Sequence, residues 1–409
     1  MAKKTDEKPV LTTKDRLQAL LKSDTVAAIN KKFGSVLSRA SDQKHQGWRR
    51  LSSGIRPLDR ALGGGFPIGV VNTLYGDKGA CKTSTILKTM GIAQKTCRDC
   101  YLLLPEHCLV EEFACHCKGK SVDRACLCAF IDVEGTLDLE WAGVLGVNRD
   151  QLLLSRPDFA EASLDILEVL IREGMVDVIA MDSLAFLTPK KEIEESTGKD
   201  MMGVQARAIA KGIRKLTAAQ NMVGLTNGHD RRPTILFTNQ IRMNLGVMFG
   251  NPETTAGGKS PGYSAVTEIK IRPGKYVINE ETGFPISAPM LFRVEKNKSY
   301  FNKIEGEFSL CLSPNKYKTV GDTHDEAYLI ERGQIDGVVT RKGMTWSCLG
   351  KSFGKREDLL NALIQDKGYE FRVWKEIMKY ASVSASKTLP PVDTTDEEED
   401  QELSVGEAF

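Results

Sequence analysis

Hydrophobic and polar positions follow different periods along this chain, and the changes of period mark its elements. Between Lys14 and Phe33 apolar residues fall at Leu17, Leu20, Leu21, Val26 and Ile29, roughly one helical face, with Gly34 as a stop. The segment is basic, amphipathic and detached from the core, so it suits capping its own subunit or docking on a neighbour. From Ile55 the chain turns compact: a helical fragment Asp59-Arg60-Ala61-Leu62, the Gly63–Gly65 break, then the apolar run Val70, Val71, Leu74, Tyr75 of a short strand. A Gly-rich turn ends that strand, and Ile86, Leu87, Met90, Ile92 and Ala93 recur beyond it at helical spacing. Residues 97–128 carry neither period. Two apolar strands come next, Ala129–Val133 and Val176–Met181, and then a third, Thr234–Thr238. The stretch after the third is rich in Gly, Asn, Thr and Pro and reads as a long loop. Strands alternating with helical patterns predict an α/β fold.

The turn between the first strand and its helix carries the clearest chemistry. Strand, glycine turn and helix is the context a phosphate-binding loop requires. Here it is Gly76, Asp77, Lys78, Gly79, Ala80, Cys81, Lys82, Thr83 and Ser84. Successive backbone N–H groups and a helix N-terminus point their partial positive charges at one place. Lys82 would reach the terminal phosphates as a point charge, and the Thr83 hydroxyl would ligate Mg²⁺. The usual pattern has glycine where Cys81 stands, and a Cβ there strains the backbone by ~1–3 kcal/mol if the dihedral is kept. The next two strands end in Asp132-Val133-Glu134 and Asp182-Ser183. Carboxylates at strand C-termini are where doubly wound sheets build their sites. Such an acid holds Mg²⁺ through water or activates the attacking water, or else caps a helix.

Composition changes this picture in three ways. With 409 residues, 41% hydrophobic and 27% charged, the chain resembles an ordinary globular protein with room for two or three domains. No apolar run approaches ~18 residues and the polar start MAKKTDEKPV lacks an apolar core, so neither a membrane span nor a secretory signal is expected. The net charge of +2 hides a split: residues 393–409 hold eight acids and no Lys or Arg, which leaves the remainder at +10. A basic body suits a polyanion for which the acidic tail competes; alternatively the tail is a disordered solubilising extension.

Seven of the ten cysteines lie between Cys97 and Cys128, which points to metal in a reducing cytosol rather than to disulfides. Cys97-x-x-Cys100 and Cys115-x-Cys117 are close thiolate pairs of the kind that close a tetrahedral zinc site. Cys108, Cys126, His107 and His116 are alternative ligands, and Cys128 begins the next strand. A tetrathiolate leaves no open position, so a structural zinc is expected.

Four further segments lie beyond the phosphate loop in order: FIDVEGTLD, MDSLAFLTPKKEIEE, NQIRMNLGVMFGNPETTAGGK and VEKNK. Together they resemble the RecA-type recombinases. The likeness runs from about Leu51 to Asn297, with one insertion at 97–128. It continues more weakly through LIERG, KREDLLNALIQDK and, near the start, NKKFG. The resemblance implies a RecA-like P-loop ATPase core with a central mostly parallel sheet, a small N-terminal helical segment and a small α+β C-terminal domain. The corresponding boundaries are 1–48, 49–316, 317–386 and a tail at 387–409. It implies ATP and Mg²⁺ as cofactors, with Gly76, Gly79, Lys82 and Thr83 on phosphate and metal. Asp182 would complete the metal site and Glu134 would polarise the hydrolytic water. Asp138 and Trp141 would lie near the adenine. Gln240 would sense the terminal phosphate, and Lys296 and Lys298 would reach the nucleotide of the adjacent protomer.

The same resemblance places a first DNA loop at Glu195–Gly203, with Met202 and nearby Arg207. A second would run from Ile241 to Gly258, with Arg242, Met243, Phe249, Asn251, Gly257 and Gly258. It implies a cytoplasmic protein, bacterial or phage-encoded, that forms helical filaments on single-stranded DNA and exchanges strands with a homologous duplex. Single-strand-binding or mediator proteins would be its partners. Cys81, the insertion, the long stretch Gly224–Pro233 and the sequence GGKSPGYSA with Tyr263 depart from the bacterial pattern, the last toward phage members. A ring helicase, a repair-accessory ATPase or a non-catalytic DNA-binding mediator stand as the other readings.

Overall fold

The computed structural model describes residues 12–33, 48–118, 124–195, 203–226, 232–243, 253–258 and 260–386. Its centre is a run of parallel strands in the order Thr267–Pro273, Val71–Gly76, Thr234–Met243, Val178–Asp182, Cys128–Asp132 and Leu152–Ser155. Past Thr267–Pro273 the sheet turns antiparallel through Pro285–Asn297 and Ile304–Cys311. Val178–Asp182 and Cys128–Asp132 are buried along their whole length. Strands covered on both faces need apolar residues at successive positions, and these have them. Phe130, Ala180 and Leu236 join Leu74, Ile86 and Met90 in one core. Their neighbours Ile131, Ile179 and Phe237 join Leu167, Ile171 and Ile213 in the core of the opposite face. The period of two thus divides each strand between two helical layers.

Boundaries shift by one or two residues from the sequence expectation at three strands, and by more at two places. The strand that opens at Thr234 continues to Met243, because Ile241, Arg242 and Met243 pair with Thr255, Thr254 and Glu253. The region expected to be a loop therefore begins as one arm of a hairpin. The single helix expected over Lys14–Phe33 is two, Thr13–Leu21 and Asp24–Phe33. Ser23 makes the break: its hydroxyl donates to the Leu20 carbonyl (2.7 Å) and accepts from the Val26 N–H (3.3 Å). Of the apolar stripe only Val26 is buried, while Leu17 and Leu20 are exposed.

Helices Glu326–Ile335, Arg356–Gln365 and Lys367–Ser386 pack on a three-stranded sheet, Val339–Lys342, Thr345–Cys348 and Lys351–Phe353. This C-terminal lobe has its own core of Leu329, Trp346, Leu359, Val373 and Trp374. Arg56 ties it to the main core through Glu370 (3.2 Å). Among the described residues no helix is long and apolar enough to cross a membrane.

Candidate functional site

The parallel strands all end at one edge, and the motifs of the sequence converge there. Val71–Gly76 delivers the phosphate loop, with Gly76 opposite Gln240 on one side and Ile271 on the other. A Cβ on Gly76 would lie 1.9 Å from the Ile271 carbonyl oxygen, so only glycine lets the loop leave the sheet here. Asp77, Lys78 and Gly79 are exposed and Ala80 is buried. Cys81 caps the helix Lys82–Ala93 at φ +48°, ψ +29°, in the left-handed region that the usual glycine enters freely. A side chain there costs about 1–2 kcal/mol.

Lys82 folds back over the loop, donating to the carbonyls of Asp77 (2.7 Å) and Gly76 (3.2 Å). Burial lowers its pKa, against the attraction of Asp182, Glu134 and Asp77. Thr83 donates its hydroxyl to Asp182 Oδ2 at 2.5 Å, and Thr238 donates to Oδ1. A hydroxyl facing a carboxylate across the first turn of this helix is the donor set for a hard divalent cation. Glu134 stands beside them. Its Oε1 accepts from the Ser183 hydroxyl (2.7 Å) and from Gln240 Nε2 (3.5 Å). Burial raises its pKa and the Asp182 charge adds to this, while the Ser183 hydrogen bond opposes it. The Val133 N–H donates to the Asp182 carbonyl (2.8 Å), which fixes one strand end to the other.

Asp132 takes no part in this arrangement. It is buried and accepts from the N–H groups of Thr136 and Leu137 and from Arg156 (3.0 Å), closing the turn that presents Glu134. Asp138 caps the helix Leu139–Val144 through the N–H groups of Glu140 and Trp141. The Trp141 indole donates to Ser84 (3.0 Å), so its ring lies against the first turn of the phosphate-loop helix. Lys296 donates to the Gly262 carbonyl (2.5 Å) and Lys298 is exposed. Neither hydrogen-bonds to the phosphate loop of its own chain.

Gln240 links this site to the second expected DNA loop. Its strand runs on into the hairpin, and Asn239 donates to the Ala256 carbonyl (3.0 Å) on the returning arm. Arg242 donates to the Ala185 carbonyl (3.2 Å) and is exposed, as is Met243. Gly257 and Gly258 both have positive φ, and a Cβ on Gly257 would meet the Ile209 side chain at 2.8 Å. Gly203 (φ +76°) precedes the helix Val204–Thr226, on which Arg207 is exposed. Met202, Phe249 and Asn251 lie outside the described residues, as do Arg231 and the tail.

The cysteine-rich segment folds as a knuckle. Cys97 bridges Ala125, the Cys97 N–H donates to Leu102 (2.8 Å) and the Cys115 N–H to Leu103 (2.8 Å). These bonds bring the sulfurs of Cys97, Cys100, Cys115 and Cys117 within 4.8 Å of one another. Four sulfurs around one zinc at ~2.3 Å would stand ~3.8 Å apart, so the group fits with a small contraction. Arg124 donates to Cys97 Sγ (3.0 Å) and to Asp99 (2.8 Å), and holds the Cys117 thiol below its usual pKa. Cys108 instead faces the Val110 carbonyl, and Cys126 and Cys128 are buried in the core beside Met90 and Phe130. His107 and His116 do not join the cluster among the described residues.

Two residues at the site had no role in the sequence reading. Ser183 follows Asp182 directly, and Thr238 precedes Gln240 by two, on the same face of its strand. That spacing was the available signal for Thr238.

A family model, the RecA N-terminal domain, matches residues 20–124 and 113–312. The two matched stretches overlap inside the cysteine-rich knuckle, where the family pattern is interrupted. The match covers the phosphate loop, both strand-end acids, the strand of Gln240 and the Lys296 strand end, and the chain belongs to the RecA family.

Proposed function

We propose that this protein is a DNA-dependent ATPase that assembles into helical filaments on single-stranded DNA and exchanges homologous strands. One observation carries the reading: Gln240 hydrogen-bonds Glu134 and lies on the strand that becomes the hairpin of the second DNA loop. A change at the nucleotide therefore reaches the hairpin through one hydrogen bond and a continuous stretch of backbone. In this reading Lys82 and the helix N-terminus hold the phosphates, and Thr83 and Asp182 hold Mg²⁺. Glu134 orients and deprotonates the attacking water. Lys296 and Lys298, unattached to their own loop, neutralise charge on the neighbour's nucleotide, which makes hydrolysis depend on assembly. The exposed Leu17 and Leu20 face suits docking between copies in a cytoplasmic filament. The four-cysteine group holds one structural zinc, with Arg124 offsetting part of the thiolate charge.

Electron microscopy with single-stranded DNA, with and without ATP, tests the assembly. Helical filaments only with nucleotide are expected, and ATP turnover should rise several-fold with single strands of any sequence. Closed rings would favour a helicase, and turnover indifferent to DNA would remove the recombinase reading.

A further inference from the structure

The turn 183–187 meets three parts of the strand-end edge. Ser183 opens it and donates its hydroxyl to Glu134 Oε1 at 2.7 Å, the same oxygen that accepts from Gln240 at 3.5 Å. Two residues on, the Ala185 carbonyl accepts from Arg242 (3.2 Å), which lies on the outgoing arm of the second expected DNA loop. That carbonyl also accepts from the side-chain amide of Gln205 at 3.0 Å, and the same nitrogen donates to the Leu187 carbonyl at 2.9 Å. A primary amide carries two N–H donors, so one side chain serves both carbonyls.

Gln205 is the second residue of the helix Val204–Thr226, two positions past Gly203, where the first expected DNA loop ends. Leu184, Ala185 and Leu187 are buried, so water does not readily stand in for the amide. The far end of the segment is held by other bonds. The Ala160 N–H donates to the Thr188 carbonyl (2.8 Å), and the Lys190 N–H donates to Glu161 (2.9 Å). The stretch that carries Ser183 is therefore held from the side of the two DNA loops, by Gln205 and Arg242.

On the recombinase reading proposed above, we infer that Gln205 is a positioning residue that ties the first DNA loop to Glu134. It acts through the turn from which Ser183 steadies the carboxylate. A shift of that loop on DNA carries the start of the helix with it, and the carbonyls of Ala185 and Leu187 follow the amide that bonds both. The second loop reaches the same Ala185 carbonyl through Arg242, so the two loops converge on one oxygen of Glu134.

Steady-state ATP turnover of the full chain, with and without oligo(dT), tests this in Gln205→Met and Gln205→Asn. Methionine keeps the length but has no N–H, and asparagine falls one methylene short of the carbonyls. The ratio of turnover with DNA to turnover without it does not depend on how much of the protein is folded. In both variants that ratio is expected to fall about threefold, while the DNA concentration giving half the maximum stays within about twofold of the parent's. In a Ser183→Ala background Gln205→Met should change the ratio no further, because the route it serves is already cut. Three results would overturn the inference: a parental ratio in Gln205→Met, an equal further fall in the Ser183→Ala background, or a loss confined to the half-maximal DNA concentration, which would make Gln205 a DNA contact. Each of them leaves the recombinase reading in place. A parent whose turnover ignores DNA removes that reading and the role of Gln205 with it.

Discussion

Replacing Thr238 with valine tests the acid on which the metal side of the site depends. Thr238 is 0% exposed and Asp182 8% exposed, so water does not replace a bond lost between them. The carboxylate takes Thr83 on Oδ2 and Thr238 on Oδ1. Valine keeps the branched shape and deletes only the hydroxyl. A hydrogen bond to a charged group contributes about 1.5–3 kcal/mol, and the abandoned buried oxygen retains its desolvation cost. The midpoint, about 2 kcal/mol, is the expected fall in stability without magnesium, read by chemical denaturation. Loosening the carboxylate by ~1.4 kcal/mol at the catalytic step would slow ATP turnover about tenfold, read at saturating single-stranded DNA. Thr238→Ser restores the hydroxyl without the methyl and should recover most of both. A valine variant with parental stability and turnover would refute the reasoning. A serine variant as impaired as valine would refute it too, because restoring the hydroxyl would then restore nothing.

Gly76→Ala places a Cβ against the Ile271 carbonyl, a backbone atom that cannot swing aside. A stability loss of about 3 kcal/mol with loss of ADP binding is expected, measured by denaturation and dialysis. Glu134→Gln should abolish turnover and also flatten the pH dependence of melting. Because burial raises the native pKa of Glu134 above 4.5, the native state binds more protons, and stability falls as pH rises through that raised value. The glutamine variant loses this component; melting curves that keep the parental slope from acid to neutral pH would count against it. Elemental analysis should find about one zinc per chain, lost in Cys115→Ser, and a metal-free parent after mild purification would reject the knuckle assignment.

What the sequence made legible was local or terminal. The phosphate loop is contiguous, and Glu134 and Asp182 stand at the ends of apolar runs where a parallel sheet places its chemistry. Cysteine pairs at short spacing likewise declare themselves without a fold. The roles of Ser183 and Thr238 were hidden, because they come from contacts spanning 49 and 56 residues. The strand extension to Met243 was masked by Gly, Asn and Thr downstream, whose composition says loop while the pairing with Glu253–Thr255 says hairpin. The break at Ser23 was readable in principle, since a serine between two amphipathic runs is a helix start. A cleft lined by residues from Arg50 to Met378 is assembled from segments far apart in the chain, and no local pattern announces it.

The cysteine knuckle leaves the end of the helix Lys82–Ala93 and enters the strand Cys128–Asp132 through a single doorway. Cys97 bridges Ala125, and the Cys126 N–H donates to the Thr96 carbonyl at 3.0 Å, so the two ends of the segment lie side by side. Residues 98–124 are therefore a cassette: exchanging them for a short turn leaves strand order and threading as they are. Such an exchange would remove Leu102, Leu103, His107, Leu109 and Phe113 and leave the strand-end edge that carries Lys82, Glu134 and Asp182 untouched.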